Sequence, residues 1–270
     1  MSTTAPGAFF TTSTPANHVP DQVTSNVGYV ENLTENEIHS FFEIEATIEW
    51  IRNGNHTRIA LQFPDSLLRF SENVSKLIES GIKSSGSPED TKKTFILADT
   101  SYRSCCVDEV AAAHADCTAL VHFGEACHSA PTDKIDVKYV LGNMPLAIED
   151  FKSALLKLRD QLTAENIVLL MDSCYAHAEE GVVAAIKELL PSGRRVDCAY
   201  LPSADSLKLN RENVYLGREV PSCLRNNLPA DLIFCGFPNS PLVPIWLLSF
   251  PTCYSVSSFD PNEKTMQYEK

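Results

Sequence analysis

The chain has 270 residues, enough for one large or two small domains with a substantial core. Hydrophobic residues make up 44% and charged residues 21%, ordinary values for a globular protein; the net charge of −13 argues against direct nucleic-acid binding, which needs a basic stripe to release counterions. No apolar run approaches the roughly 18 residues of a membrane span. The N-terminus, MSTTAPGAFFTTSTPANHVPDQVTSN, lacks the basic and apolar regions of a secretory signal and the arginines of a mitochondrial one. The expectation is a cytoplasmic protein, binding neither nucleic acid nor membrane, whose first 35 residues are a disordered extension rich in Thr, Ser, Pro and Asn. An acidic surface suits a basic or mixed-charge protein partner, or serves solubility alone.

In chain order, SFFEIEATIEWIRNGN (40–55) predicts a helix, with Phe41, Phe42, Ile44, Ile48 and Ile51 as its stripe. RIALQFP (58–64) is a buried strand ended by proline, and SLLRFSENVSKLIESGI returns to helical period. TFILADTS (94–101), CTALVHFG (117–124) and DVKYVLG (136–142) are further strands, with a short helix at VDEVAAAHAD. The pattern restarts between Met144 and Ile148: helix LAIEDFKSALLKLRDQL, strand NIVLLMDS, helix EEGVVAAIKELL, strand RVDCAYL, strand DLIFCGF and helix PLVPIWLLS. Strands alternating with helices predict α/β architecture with parallel sheets. The chain thus divides into two similar units in tandem, residues 36–145 and 146–258, and 259–270 reads as a polar, aperiodic tail, either a linker or a disordered end.

Nine cysteines in a chain of this length without a signal are not a disulfide framework, and several read as small core residues, Cys198 and Cys235 inside strand-like runs among them. In open parallel sheets ligands gather beyond the carboxyl ends of the strands. Beyond the first strand stand Gln62 and Asp65. Beyond the second stand Asp99, Cys105, Cys106, Asp108 and Glu109, and beyond the third His122, Glu125, Cys127 and His128. Cys106 and Cys127 are 21 residues apart, about one helix plus one strand, so both can face one crevice. Thiolates suit iron–sulfur clusters or zinc, although no C-x-x-C pair is present and adjacent Cys105 and Cys106 are an awkward pair for one metal. The same residues are consistent with core packing of Cys105 or Cys106 and a merely buried Cys127. His122 at a strand end reads more as a core histidine than as a catalyst, and Asp99 equally as a turn cap. Asp172, Ser173 and Cys174 occupy the equivalent place in the second unit.

LQFPDSLL, LADTSYRSCCVDEVAAAHADC and LVHFGEACHS together resemble the subunit 1/subunit 2 family of diphthamide synthesis, collinearly over roughly residues 40–258, and the second subunit more than the catalytic first. The glycine-containing cysteine segment of the first subunit's second domain has no counterpart here. The resemblance implies that Cys106 and Cys127, with Cys105 as the alternative to Cys106, are ligands of a [4Fe–4S] cluster, and that a third ligand belongs to a third α/β unit absent from this sequence unless Cys174 or Cys253 substitutes. It implies a heterodimer with subunit 1 that uses S-adenosylmethionine to place a 3-amino-3-carboxypropyl group on a histidine of elongation factor 2. The second subunit's part there is accessory, helping a small electron-donor protein keep the catalytic cluster reduced. Arg103 stands where the family usually has glycine before Ser-Cys-Cys. Two other readings stay open: a non-redox α/β scaffold, and a zinc or thiol enzyme using Cys106, Cys127 and His128.

Overall fold

A computed structural model of the chain describes residues 33–83, 92–97, 105–127, 134–191, 193–201 and 213–270. The expected N-terminal extension thus lies almost wholly outside the described residues, as do Asp99, Arg103 and His128.

The first helix expected from sequence is two. Helix α1 (Glu35–Phe41) opens on a capping box, in which Thr34 and Glu37 bond each other's backbone N–H groups. Helix α2 (Ile44–Asn53) begins after a break at Glu43, whose φ of 45° is left-handed. The break lets Phe42 turn fully inward, where its ring meets Phe63, Phe70 and Phe123 edge-on or tilted. A continuous helix has one apolar stripe and would carry Phe41 and Phe42 to different faces.

Strand β1 (Arg58–Gln62) leads through a short 3-10 turn into α3 (Ser71–Lys83), then β2 (Lys93–Leu97), α4 (Glu109–His114), β3 (Ala119–Phe123) and β4 (Asp136–Val140). These four strands form a wholly parallel sheet in the order β2-β1-β3-β4. The direction of winding reverses between β1 and β3, so a crevice opens beyond their carboxyl ends.

Helix α5 (Ile148–Leu158), β5 (Asn166–Met171), α6 (Glu179–Leu189) and β6 (Arg195–Cys198) begin the second half. A two-residue hairpin comes next, β7 (Val214–Tyr215) with β8 (Arg218–Glu219), then α7 (Ser222–Arg225), β9 (Ala230–Cys235), α8 (Leu242–Ser249), β10 (Cys253–Asp260) and β11 (Thr265–Glu269). The second sheet runs β11-β10-β9-β5-β6, parallel except for β11, and its switch point falls between β5 and β9. Its central strands β5 and β9 are buried at every residue, as is β3 in the first sheet, which is why each reads as an unbroken apolar run.

Residues 259–270 are not an aperiodic tail. Strand β10 extends to Asp260, and β11 pairs antiparallel with it, Met266 packing on the core and Lys264 Nζ lying 2.9 Å from Asp150 on α5. Serines hid this strand: Ser255 and Ser257 are buried on β10, and Ser255 donates to the buried Asp231. One apolar core runs across both halves of the chain, joining Phe63 and Phe123 of the first to Phe151, Ile233 and Phe259 of the second. No helix among the described residues is long and apolar enough to cross a membrane.

Candidate metal centre

The crevice between β1 and β3 gathers several of the residues expected from sequence. Gln62, the last residue of β1, is buried and holds the cysteine loop at two points. Its Nε2 donates to the carbonyl of Cys106 (2.8 Å), and its Oε1 accepts from the N–H of Asp108 (3.0 Å). Asp108 caps α4 by accepting from the N–H of Ala111 at 2.8 Å, a structural duty rather than that of a free acid. From the other side, the N–H of Cys127 donates to the carbonyl of Cys105 at 3.1 Å, tying the loop after β3 to the loop before α4. Gly124, between β3 and that loop, has φ of 96°, and a Cβ there would press on Pro64 Cγ at 3.1 Å. Only glycine meets both demands.

The result is a group of three thiols. Cys106 Sγ lies 3.6 Å from Cys127 Sγ and 3.9 Å from Cys105 Sγ, and all three sulfurs lie within 4.8 Å of one another. Each cysteine is half-buried. The adjacent pair that looked awkward in sequence therefore brings both sulfurs to Cys127. The hydrogen bond with Cys127, burial, and the charges of Cys127 and Cys106 together push the Cys105 thiol far above its ordinary pKa. Three thiolates cannot share this space as bare anions, so ionising them requires a cation, whose binding would release their protons.

The flanking residues hold the Cys127 loop. His122 is fully buried, and its Nε2 lies 2.9 Å from the carbonyl of Glu125. Burial pushes its pKa down, so the ring is neutral and donates to that carbonyl, packed edge-on against Tyr139. Of the two sequence readings of His122, the structure gives the core histidine. Glu125 faces Arg218 of β8, which is 1% exposed and lies 3.4 Å away through Nη1. Sequence reasoning missed Arg218. Its hairpin turns at Leu216 and Gly217, both at positive φ, and Leu-Gly is not among the dipeptides that announce such a turn.

The other expected residues stand apart. Asp65 is exposed at the start of the 3-10 turn, and Glu109 lies in the first turn of α4. At the second switch point Asp172 is buried and accepts from the N–H of Phe237 (2.8 Å) and the hydroxyl of Ser240 (2.7 Å). Burial, reinforced by the charge of Glu125, pushes its pKa up to about 7 against the pull of those donors and of Arg218. Burial likewise pushes the Cys174 thiol well up, and Cys253 sits in a separate apolar cluster. Neither joins the three thiols, which are the one such metal-capable group among the described residues.

Three soft donors are the ligand type of an iron–sulfur cluster and of a single tetrahedral ion alike. With sulfur about 2.3 Å from zinc, neighbouring sulfurs on one tetrahedron would lie about 3.8 Å apart, and the observed 3.6 and 3.9 Å edges bracket that spacing.

Fold and site define a parallel α/β protein with a cysteine centre at the first sheet's switch point. The sequence model of the family described as "Putative diphthamide synthesis protein" matches residues 63–270, and the chain belongs to that family. It is 70% identical, over its whole length, to a Caenorhabditis elegans protein named 2-(3-amino-3-carboxypropyl)histidine synthase subunit 2. It is 35% identical to the Xenopus laevis protein of the same name over 86% of its length. The chain spans about half of these relatives: 56% of the first and 46% of the second. Among solved structures, Dph2 from Pyrococcus horikoshii matches with a TM-score of 0.55 at 16% identity, covering 84% of this chain and 60% of that one. A second crystal structure of that archaeal protein contains a 4Fe-4S cluster, with the same measures of similarity. At this identity the likeness is one of fold.

Proposed function

We propose that the chain is an iron–sulfur accessory part of the complex that transfers a 3-amino-3-carboxypropyl group from S-adenosylmethionine to a histidine of elongation factor 2, the first step of diphthamide synthesis. The observation that carries this reading is the meeting of Cys105, Cys106 and Cys127 within 4.8 Å, in a member of this family. A bound cluster would supply one-electron transfer. The protein's part is positional: Gln62 and Asp108 fix the Cys105–Cys106 loop, while Gly124 and His122 shape the loop that delivers Cys127. On this reading the chain pairs with subunit 1 and relays electrons from a small donor protein to the catalytic cluster in the cytoplasm, where the six cysteines outside the centre can remain free thiols.

The test is anaerobic co-purification with subunit 1, measuring iron and inorganic sulfide for the wild type and for Cys106→Ser/Cys127→Ser. The double variant should form the complex with less iron. Unchanged iron in an intact complex would make this chain a scaffold without its own cluster. The sulfur spacing favours a second reading, a single zinc ion on the three thiols. It calls for zinc without sulfide in the purified chain, lost in the same double variant.

A further inference from the structure

Arg218 is charged, almost wholly buried and far in sequence from Cys105, Cys106 and Cys127, so its place requires a reason. Its guanidinium reaches four fixed points. Nε and Nη2 donate to the carbonyl of Met171 at the end of β5 (3.2 and 2.8 Å), and Nη2 also to the hydroxyl of Ser173 (3.1 Å). Nη1 donates to the carbonyl of Leu216 in its own hairpin (2.9 Å), and Nη1 and Nη2 together meet Oε1 of Glu125 at 3.4 and 3.5 Å. The first three acceptors belong to the second half of the chain. Glu125 belongs to the cysteine loop of the first. Lysine, with a compact ammonium, cannot reach all four, whereas the planar fork of arginine can.

We infer that Arg218 is a positioning residue for the thiol centre: through Glu125 it fastens the Cys127 loop of the first sheet to the carboxyl end of β5 in the second, and so sets how far Cys127 Sγ lies from Cys105 and Cys106. The inference rests on the reading of the three thiols as one binding site. Glu125 is held twice, its carbonyl by His122 and its carboxylate by Arg218. Between it and Cys127 stands only Ala126, fully buried, so the loop has little slack to absorb movement of the anchor. Cys127 is then pinned on its far side by its N–H to the carbonyl of Cys105. Removing one anchor lets the sulfur swing on the other.

Phenylarsine oxide tests this in the full chain without its natural metal, because it bridges pairs of neighbouring thiols. Its affinity for the chain is measured by competition with a small dithiol, in wild type, Glu125→Ala, Glu125→Gln and Arg218→Lys. The Glu125→Ala change should weaken capture at Cys106 and Cys127 by roughly tenfold, the lower range for loss of an outer-shell partner of a metal ligand. Glu125→Gln keeps an acceptor for the fork and should recover most of the loss, while Arg218→Lys should fall between the two. Alkylation of the buried Cys117, Cys223 and Cys235 should stay as slow as in wild type. Equal affinity in wild type and Glu125→Ala would overturn the inference. So would a loss in Glu125→Ala that glutamine does not recover, accompanied by fast alkylation of the buried cysteines, since that marks general loosening. No capture by the wild type would instead refute the thiol site itself, and the anchor with it.

Discussion

The two sheets offer the same kind of place and fill it differently. Each has a switch point, between β1 and β3 in the first and between β5 and β9 in the second, where loops from neighbouring strands diverge. At the first, the loops turn three half-buried thiols toward one another, and the polar groups around them are occupied in holding backbone. At the second, Asp172 is buried, its carboxylate taken up by the N–H of Phe237 and the hydroxyl of Ser240. A side chain at Gly236 would overlap Asp172 Oδ2, so glycine is what lets β9 end so close to the carboxylate. The topology makes a crevice available, and the side chains decide whether it remains a site. Arg218 links the two, donating to Ser173 beside Asp172 and to Glu125 beside the thiols.

Breaking that link should have the largest effect. Replacing Arg218 with Met leaves Glu125 facing no cation at this point and strips the fork from three acceptors, and should cost about 3–5 kcal/mol in urea unfolding. A loss under about 1 kcal/mol, the range of an exposed ion pair, would mean that the two switch points are held in register by the shared apolar core alone.

The second switch point should show itself in pH. The folded pKa of Asp172 is raised to about 7 from 3.8, so the stability it contributes is fully present below about pH 4 and lost as pH rises through about 7. The swing is about 4 kcal/mol at most, from roughly 1.36 kcal/mol per pKa unit. Asp172→Asn, which keeps the size and one acceptor, should flatten that part of the stability–pH curve; an unchanged slope would mean that Asp172 ionises freely in the fold.

The first switch point should depend on its backbone props. Gln62→Ala leaves the carbonyl of Cys106 and the N–H of Asp108 without the partner they have in Gln62, at about 1–3 kcal/mol. Amide exchange at Asp108 should quicken well beyond the change seen in β5. Gly124→Ala should cost about 1–2 kcal/mol from positive φ and the Pro64 contact, with calorimetry as the readout. If Gly124→Ala melts as the wild type does, the turn after β3 is looser than its geometry implies.

The sequence was most readable where burial is complete. Strands β1, β3, β5 and β9 are apolar runs because they are covered on both faces, and their ends mark the loops in which chemistry can gather. Gln62 ends β1, Glu125 and Cys127 stand in the loop after β3, and Asp172 holds the counterpart place after β5. The choice between Cys105 and Cys106 was not legible, because sequence does not give the direction of adjacent side chains in an irregular loop. Legibility also failed where polar residues do core duty. Ser255 and Ser257 broke the apolar alternation of β10, and Arg218 lay in a hairpin of two-residue strands with no turn dipeptide to announce it. The break at Glu43 escaped because a non-glycine residue takes the left-handed conformation there, for the sake of burying Phe42.

On the proposed function, Cys105, Cys106 and Cys127 together hold an iron–sulfur cluster. X-ray absorption at the iron edge of the anaerobically purified chain tests this most directly, combined with sulfide and zinc content. The expected result is iron in an all-sulfur shell with an iron–iron neighbour, and loss of both when Cys106 and Cys127 are changed to Ser. Iron without sulfur neighbours, or zinc on the thiols and no sulfide, would contradict it.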